Sequence, residues 1–184
     1  TYNGTVSDSD GGTLQNADSI AAGDGVDLLD IRIVSTSSDN VSGTTTITAT
    51  GLERIAITDQ ANTFADYTFN LDNVDGEQEI SIVETDSSTD VEIIDVDDNV
   101  TFRLINHQGD LNLEFKGDRS GTTDDAINLY AENVGNEDGG FGRVEIENTD
   151  GGDFEIGNIV TGGTMTSRLS VFDMDLETLN ITGS

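Results

Sequence analysis

The sequence predicts an all-β protein, and within that class a β-solenoid of short strands stacked coil upon coil, with a β-sandwich as the alternative. Three observations carry this. Apolar residues alternate with polar ones in short runs, and Gly, Asn or Asp follows nearly every run. One segment of nine residues, Ala22–Asp30, also has the Gly/Asp form of a solenoid repeat.

Residues 1–15 are polar, with a turn at Asp8-Ser9-Asp10-Gly11-Gly12, and strands are expected only after them. The predicted strands are Leu29–Val34, Thr45–Thr50, Arg54–Thr58, Tyr67–Leu71, Glu79–Glu84, Val91–Val96 and Val100–Ile105. The series continues with Leu111–Phe115, Ala126–Ala131, Arg143–Glu147, Asp153–Ile156, Leu169–Phe172 and Glu177–Ile181. Alternation is strict in several of them. Ile80 and Ile82 flank Ser81, and Leu111, Leu113 and Phe115 flank Asn112 and Glu114. Ile127 with Leu129, and Val144 with Ile146, repeat the pattern. One face of each strand is therefore apolar and the other polar. Asp124–Glu132 comes nearest to a helix, but the alternation of Ile127 and Leu129 with Asn128 and Tyr130 favours a strand. Strands spaced roughly 8–12 residues apart suit a sandwich, a barrel or a solenoid, and the recurrent turns favour the last. No sharp boundary divides residues 1–184, which read as one acidic β-rich domain.

The formal net charge is −30, from 37 acidic and seven basic side chains. In stacked coils about 4.7–4.9 Å apart, acids at equivalent outward positions line up in ladders. Two carboxylates about 5 Å apart repel by roughly 3 kcal/mol at an effective dielectric of ~20. Seven bases cannot neutralise so many acids, so the compact state requires cations from solution. Such a surface excludes nucleic acid and disfavours an anionic membrane. The absence of cysteine excludes disulfides and thiolate metal sites. No apolar run is long enough to span a membrane, and no signal peptide is evident, so the chain reads as a mature product or a piece of something longer.

Ala22-Gly23-Asp24-Gly25-Val26-Asp27-Leu28-Leu29-Asp30 fits the nonapeptide G-G-x-G-x-D-x-U-x with Ala22 as its one departure. Asp18 and Ile20 form a degraded copy one period earlier. Glycines let carbonyls converge in a tight turn, and aspartate adds a hard oxygen suited to calcium. Asp18, Asp24 and Asp27, with carbonyls near Gly23 and Gly25, are therefore the first candidate Ca2+ site. The segment resembles the RTX-type calcium-binding repeats of bacterial surface-layer (S-layer) proteins. Gly51-Leu52-Glu53-Arg54-Ile55-Ala56-Ile57-Thr58 is similar to the family's G-[VLF]-E-x-[ILV]-x-[ILV]-T strand, and Leu176–Gly183 repeats it. Gly121–Leu129 resembles the family's G-T-S-D-x-[LF]-x-L segment. The resemblance implies a secreted protein that forms a two-dimensional array on the cell surface.

Two further acidic turns are candidates for cations. In one, Asp118, Asp124 and Asp125 bracket Gly121; in the other, Asn136 and Asp138 precede Gly139. The EF-hand pattern fails, because Val134 stands at the first ligand position of one match and Ile82 at the last position of the other. His107 is alone in the turn Asn106-His107-Gln108-Gly109, with no cysteine as a partner, and reads as structural. Four N-x-[ST] triplets, at Asn3, Asn40, Asn99 and Asn180, are close to chance in so Asn- and Thr-rich a chain.

The expectation is a non-enzymatic extracellular structural protein, with calcium-dependent folding and self-association into an array. A calcium-dependent adhesin or binding module comes second. A polysaccharide-active β-helix enzyme comes third, since tryptophan is absent and the few bases are scattered. An origin in a salt-rich cytoplasm would make monovalent salt as stabilising as calcium.

Overall fold

The computed structural model describes residues 1–7, 12–16, 18–34, 41–61, 65–85, 88–97, 100–116, 126–135, 142–148, 154, 156–163, 167–172 and 177–183. It is an all-β parallel solenoid. Its strands are β1 Tyr2–Ser7, β2 Ile20–Ala21, β3 Leu28–Val34, β4 Val41–Thr50, β5 Arg54–Asp59, β6 Ala65–Asp75, β7 Glu79–Val83 and β8 Thr89–Val96. They continue as β9 Thr101–Ile105, β10 Asp110–Phe115, β11 Ala126–Glu132, β12 Gly142–Asn148, β13 Ile156–Gly162, β14 Leu169–Phe172 and β15 Thr178–Gly183.

Odd-numbered strands form one eight-stranded sheet (sheet A) and even-numbered strands a seven-stranded sheet (sheet B), each in sequence order. Every neighbouring pair is parallel. The chain therefore passes from one sheet to the other and back, and each return adds a coil. Coil length varies: the register partners Ile80 and Phe102 are 22 residues apart, and Leu129 and Ile159 are 30 apart.

Parallel in-register pairing converts each alternating strand into files of like residues. On sheet A the inward file runs Leu29, Ile55, Ile80, Phe102, Leu129, and a second runs Ile31, Ile57, Ile82, Leu104, Ala131. Sheet B supplies Tyr67, Val91, Leu111, Val144 and, beside them, Phe69, Ile93, Leu113, Ile146. All of these are buried in one core cluster. The two sheets meet edge-to-face through Phe102 and Phe115, whose ring centroids are 5.8 Å apart; Phe115 also packs on Phe154 at 4.8 Å.

The corners show why turn residues recur. Gly51 (φ +67°) and Gly76 (φ +102°) occupy equivalent left-handed positions in successive coils, a region that side chains beyond Cα disfavour. At the corner after sheet A, Asn106 and Asn133 take the left-handed conformation with φ +53° each. Asparagine tolerates this region, and the Asn133 Nδ2 group donates to Asn106 Oδ1 at 3.1 Å, tying the coils together.

Three expectations are corrected. Residues 1–15 contain a strand, β1, whose inward residues are Tyr2, Gly4 and Val6. β13 lies at Ile156–Gly162, beyond the Asp153–Ile156 predicted. Ser81, on the outward phase of β7, is itself buried.

Candidate functional site

The Gly/Asp segment folds as a turn leading into a buried strand. Asp24 and Gly25 form the bend, Gly25 has φ +118°, and Leu29 enters the core at 1% exposure. The turn is fastened to the next coil, because the Asp27 backbone N–H donates to Glu53 Oε2 at 2.7 Å. The acids of the segment point to separate partners. Asp18 Oδ2 accepts from the Gln15 N–H at 2.9 Å, and Asp27 Oδ1 lies 4.0 Å from the Thr1 amino group. Gly23, Asp24 and Gly25 are exposed. Among the described residues, no three acidic or histidine side chains converge into a group that could hold a metal ion. Asp118, Asp124, Asp125, Asn136 and Asp138 lie outside the described residues.

The outer face of sheet B carries the ladder that stacked coils require. Asp66, Asp90 and Asp110 are register partners on β6, β8 and β10, and Arg143 of β12 continues their file. Strand spacing sets their backbones about 4.8 Å apart. Beside them runs a second file, Thr68, Glu92, Asn112 and Glu145. Thr68 Oγ1 donates to Glu92 Oε2 at 2.7 Å, and Asn112 Nδ2 donates to Glu92 Oε1 at 3.5 Å. Arg143 closes one end of the ladder: its Nη1 lies 3.7 Å from Asp110 Oδ2 and its Nη2 lies 2.6 Å from Glu145 Oε2. The two files line an open groove of ≈ 260 Å³.

The charge on this ladder is under stress. Partial burial raises the Asp90 pKa, and the Asp110 and Asp66 carboxylates raise it further, with only Arg143 opposing them. The donors are hard carboxylate and amide oxygens, the class that calcium takes. Their arrangement is an open row along the sheet. It fits cations held against a line of charge, and it does not form a closed coordination cage.

Nothing in the sequence named these residues individually, yet a signal was present. Each ladder residue directly precedes an alternating apolar pair: Asp66-Tyr67-Thr68-Phe69, Asp90-Val91-Glu92-Ile93, Asp110-Leu111-Asn112-Leu113 and Arg143-Val144-Glu145-Ile146.

Two buried polar groups complete the chemistry. His107 is fully buried at the corner after β9, where its Nδ1 sits 2.7 Å from Thr85 Oγ1 and, among the described residues, its Nε2 makes no hydrogen bond of ordinary geometry. Burial lowers its pKa to about 4, so it is neutral at pH 7. Glu77, at 6% exposure, has both carboxylate oxygens buried, and among the described residues neither makes a hydrogen bond of ordinary geometry. Burial raises its pKa and the Asp97 carboxylate adds to the effect, against the backbone N–H groups of Glu77 and Asp97 and, more weakly, the Lys116 ammonium.

Comparison of the chain with protein-family models, with curated proteins and with solved structures finds no match to any of them.

Proposed function

We propose that this chain is an extracellular structural protein, secreted to the cell surface, whose folding depends on calcium and supports self-association into a surface layer or a similar array. The observation that supports this reading is the file Asp66, Asp90, Asp110 on the outer face of sheet B. Folding brings these carboxylates to strand spacing, so the coil stack is opposed by its own charge until cations gather there. Cations would gather along the row Asp66, Asp90 and Asp110 and not in a single closed site. Calcium, when bound, supplies positive charge to hard oxygen donors and relieves that repulsion. The Gly/Asp turn at Asp18–Asp27 and its resemblance to RTX-type repeats point to the same ion.

Thermal unfolding in calcium, in sodium chloride of equal ionic strength and in chelator tests the proposal. Calcium should raise the midpoint well beyond the monovalent salt, and chelator should reverse the gain. Equal stabilisation by both salts would reduce the effect to general screening. A binding module is the second reading. The groove between the two files favours it, and retention of a cationic or calcium-bridged glycan by the folded monomer would establish it.

A further inference from the structure

The outer faces of the two sheets differ in their balance of charge. Sheet B presents its acidic files, with Arg143 as the base that closes them. From β3 to β11, sheet A turns outward three acids, Asp30, Glu79 and Glu132, and three of the seven bases, Arg32, Arg54 and Arg103. Each acid there has a partner on the same face. Asp30 Oδ2 lies 3.1 Å from Arg32 Nη2, and the Tyr130 hydroxyl donates to Glu132 Oε2 at 3.3 Å. Glu79 has Arg54 Nε at 3.9 Å and Arg103 Nη1 at 3.6 Å. In a chain of net charge −30 this face is neutral, and a second copy meets less repulsion here than on sheet B.

The face is also partly apolar. The water-facing phase of a sheet is ordinarily polar, yet β5, β7 and β9 place Ala56, Val83 and Ile105 there, each partly exposed. Among the described residues every strand belongs to one of the two sheets, so no third layer covers it. It runs along the flank of the stack, and its exposure does not depend on what adjoins the ends.

The order of the charges selects the partner. Across β3, β5, β7 and β9 one outward file reads Leu28, Arg54, Glu79, Thr101, and the next reads Asp30, Ala56, Ser81, Arg103. Reversed, each file is its own charge complement. A two-fold axis lying in the face, parallel to the strands and midway between β5 and β7, therefore sets Arg54 of each copy against Glu79 of the other, and Asp30 against Arg103. Thr58 then meets Val83 and Arg32 meets Ile105, so no charge faces its like. An axis on β7 would set Glu79 against itself, and one on β9 would do the same to Arg103. Within the chain Glu79 is too far from either guanidinium for a hydrogen bond, so both keep donors for a second carboxylate. Arg103 is held in place over the Tyr130 ring, 4.7 Å from its centroid.

We propose that two copies of this chain pair back to back through the outer faces of sheet A, about the axis between β5 and β7. The contact is isologous, the same patch on both partners. Six strands at about 4.8 Å and five residues at about 3.3 Å give a footprint of roughly 500 Å² per copy. The total of about 1,000 Å² is the size of a reversible dimer. The inference rests on the self-association proposed above and names its surface, and the contact itself takes no calcium.

Sedimentation equilibrium in calcium-containing buffer, with circular dichroism to verify folding, tests it by charge exchange. The expected result is a dimer of the wild-type chain. Arg54→Glu alone and Glu79→Arg alone should each weaken it about 10-fold or more, because each sets like charges across the axis. An equimolar mixture of the two variants should associate again as a heterodimer, since Glu at 54 then faces Arg at 79 and Arg at 54 faces Glu at 79. Thr44→Glu, which adds an acid to the outer face of sheet B, should leave the dimer unchanged. A folded wild-type monomer at all concentrations would overturn the proposal, as would variants that associate like wild type or a mixture that fails to associate. None of these results would touch calcium-dependent folding, which thermal melting reads separately. A dimer rescued by charge exchange in a chain that calcium does not stabilise would overturn the calcium reading and leave this one standing.

Discussion

Glu77 occupies in its coil the place that Leu52 fills in the coil before, one residue after the paired turn glycines Gly76 and Gly51. Leu52 is fully buried, and Glu77 is buried with neither carboxylate oxygen in a hydrogen bond of ordinary geometry among the described residues. A solenoid position built for an apolar side chain thus holds an acid.

Glu77→Leu should therefore stabilise the fold. Removing an unsatisfied buried carboxylate gains about 1–3 kcal/mol, or roughly 2–4 °C of midpoint for each kcal/mol in a chain of this size. The sign with pH follows from the raised pKa. The folded state holds the proton more tightly than the unfolded state, so the stabilisation is complete below the unfolded value and is lost as pH rises through the folded one. Denaturant titrations at pH 4 and pH 7 should show Glu77→Gln gaining more over wild type at pH 7.

Asp90→Asn removes the central charge of the Asp66–Asp90–Asp110 file. It should raise the midpoint in low salt and chelator, by about 0.2–1 kcal/mol for each like-charge neighbour removed, and lessen the gain on adding calcium. The raised Asp90 pKa acts in the same sense as that of Glu77: wild type loses this contribution as pH rises through the folded value, and the variant does not. Calcium titrations of both proteins by thermal melting check this.

His107 works in the opposite direction. Its folded pKa of about 4 lies below the ordinary 6.5, so its contribution is present above pH 6.5 and is lost as pH falls toward 4. That window is worth about 3 kcal/mol. His107→Gln, which keeps a polar atom toward Thr85 and does not titrate, should lose correspondingly less stability between those pH values in urea titrations.

Phe115→Ala should cost about 3–5 kcal/mol. Its ring touches both Phe102 of the facing sheet and Phe154, so the cavity opens between the two sheets. A fall in the urea midpoint with an unchanged slope is the expected signature.

The inward files were legible because period-2 alternation is a local property: Ile80 with Ile82 and Leu111 with Leu113 declare their faces within three residues. β1 and β13 were less so, and for one reason. Gly4 and Gly157 stand at inward positions where an apolar side chain would have shown the period, and at Gly4 the missing volume is filled by Leu14 from another segment. The Asp66–Asp90–Asp110 file could be foreseen as a kind but not as particular residues. Its members are 24 and 20 positions apart, and unequal coil lengths hide which residues meet. The turn function of the Gly/Asp segment was visible, as Gly25 and Leu29 bear out. How Asp18 and Asp27 direct their oxygens depends on Gln15 and Thr1, which no repeat motif includes.

Coils of 22 and of 30 residues keep the same strand register. Hydrogen bonding between strands is indifferent to how much chain is spent in crossing from one sheet to the other. The corners are thus free to lengthen, shorten or carry foreign peptide while the spine beneath them stays in step, and a molecule built this way can change its outline without altering its frame.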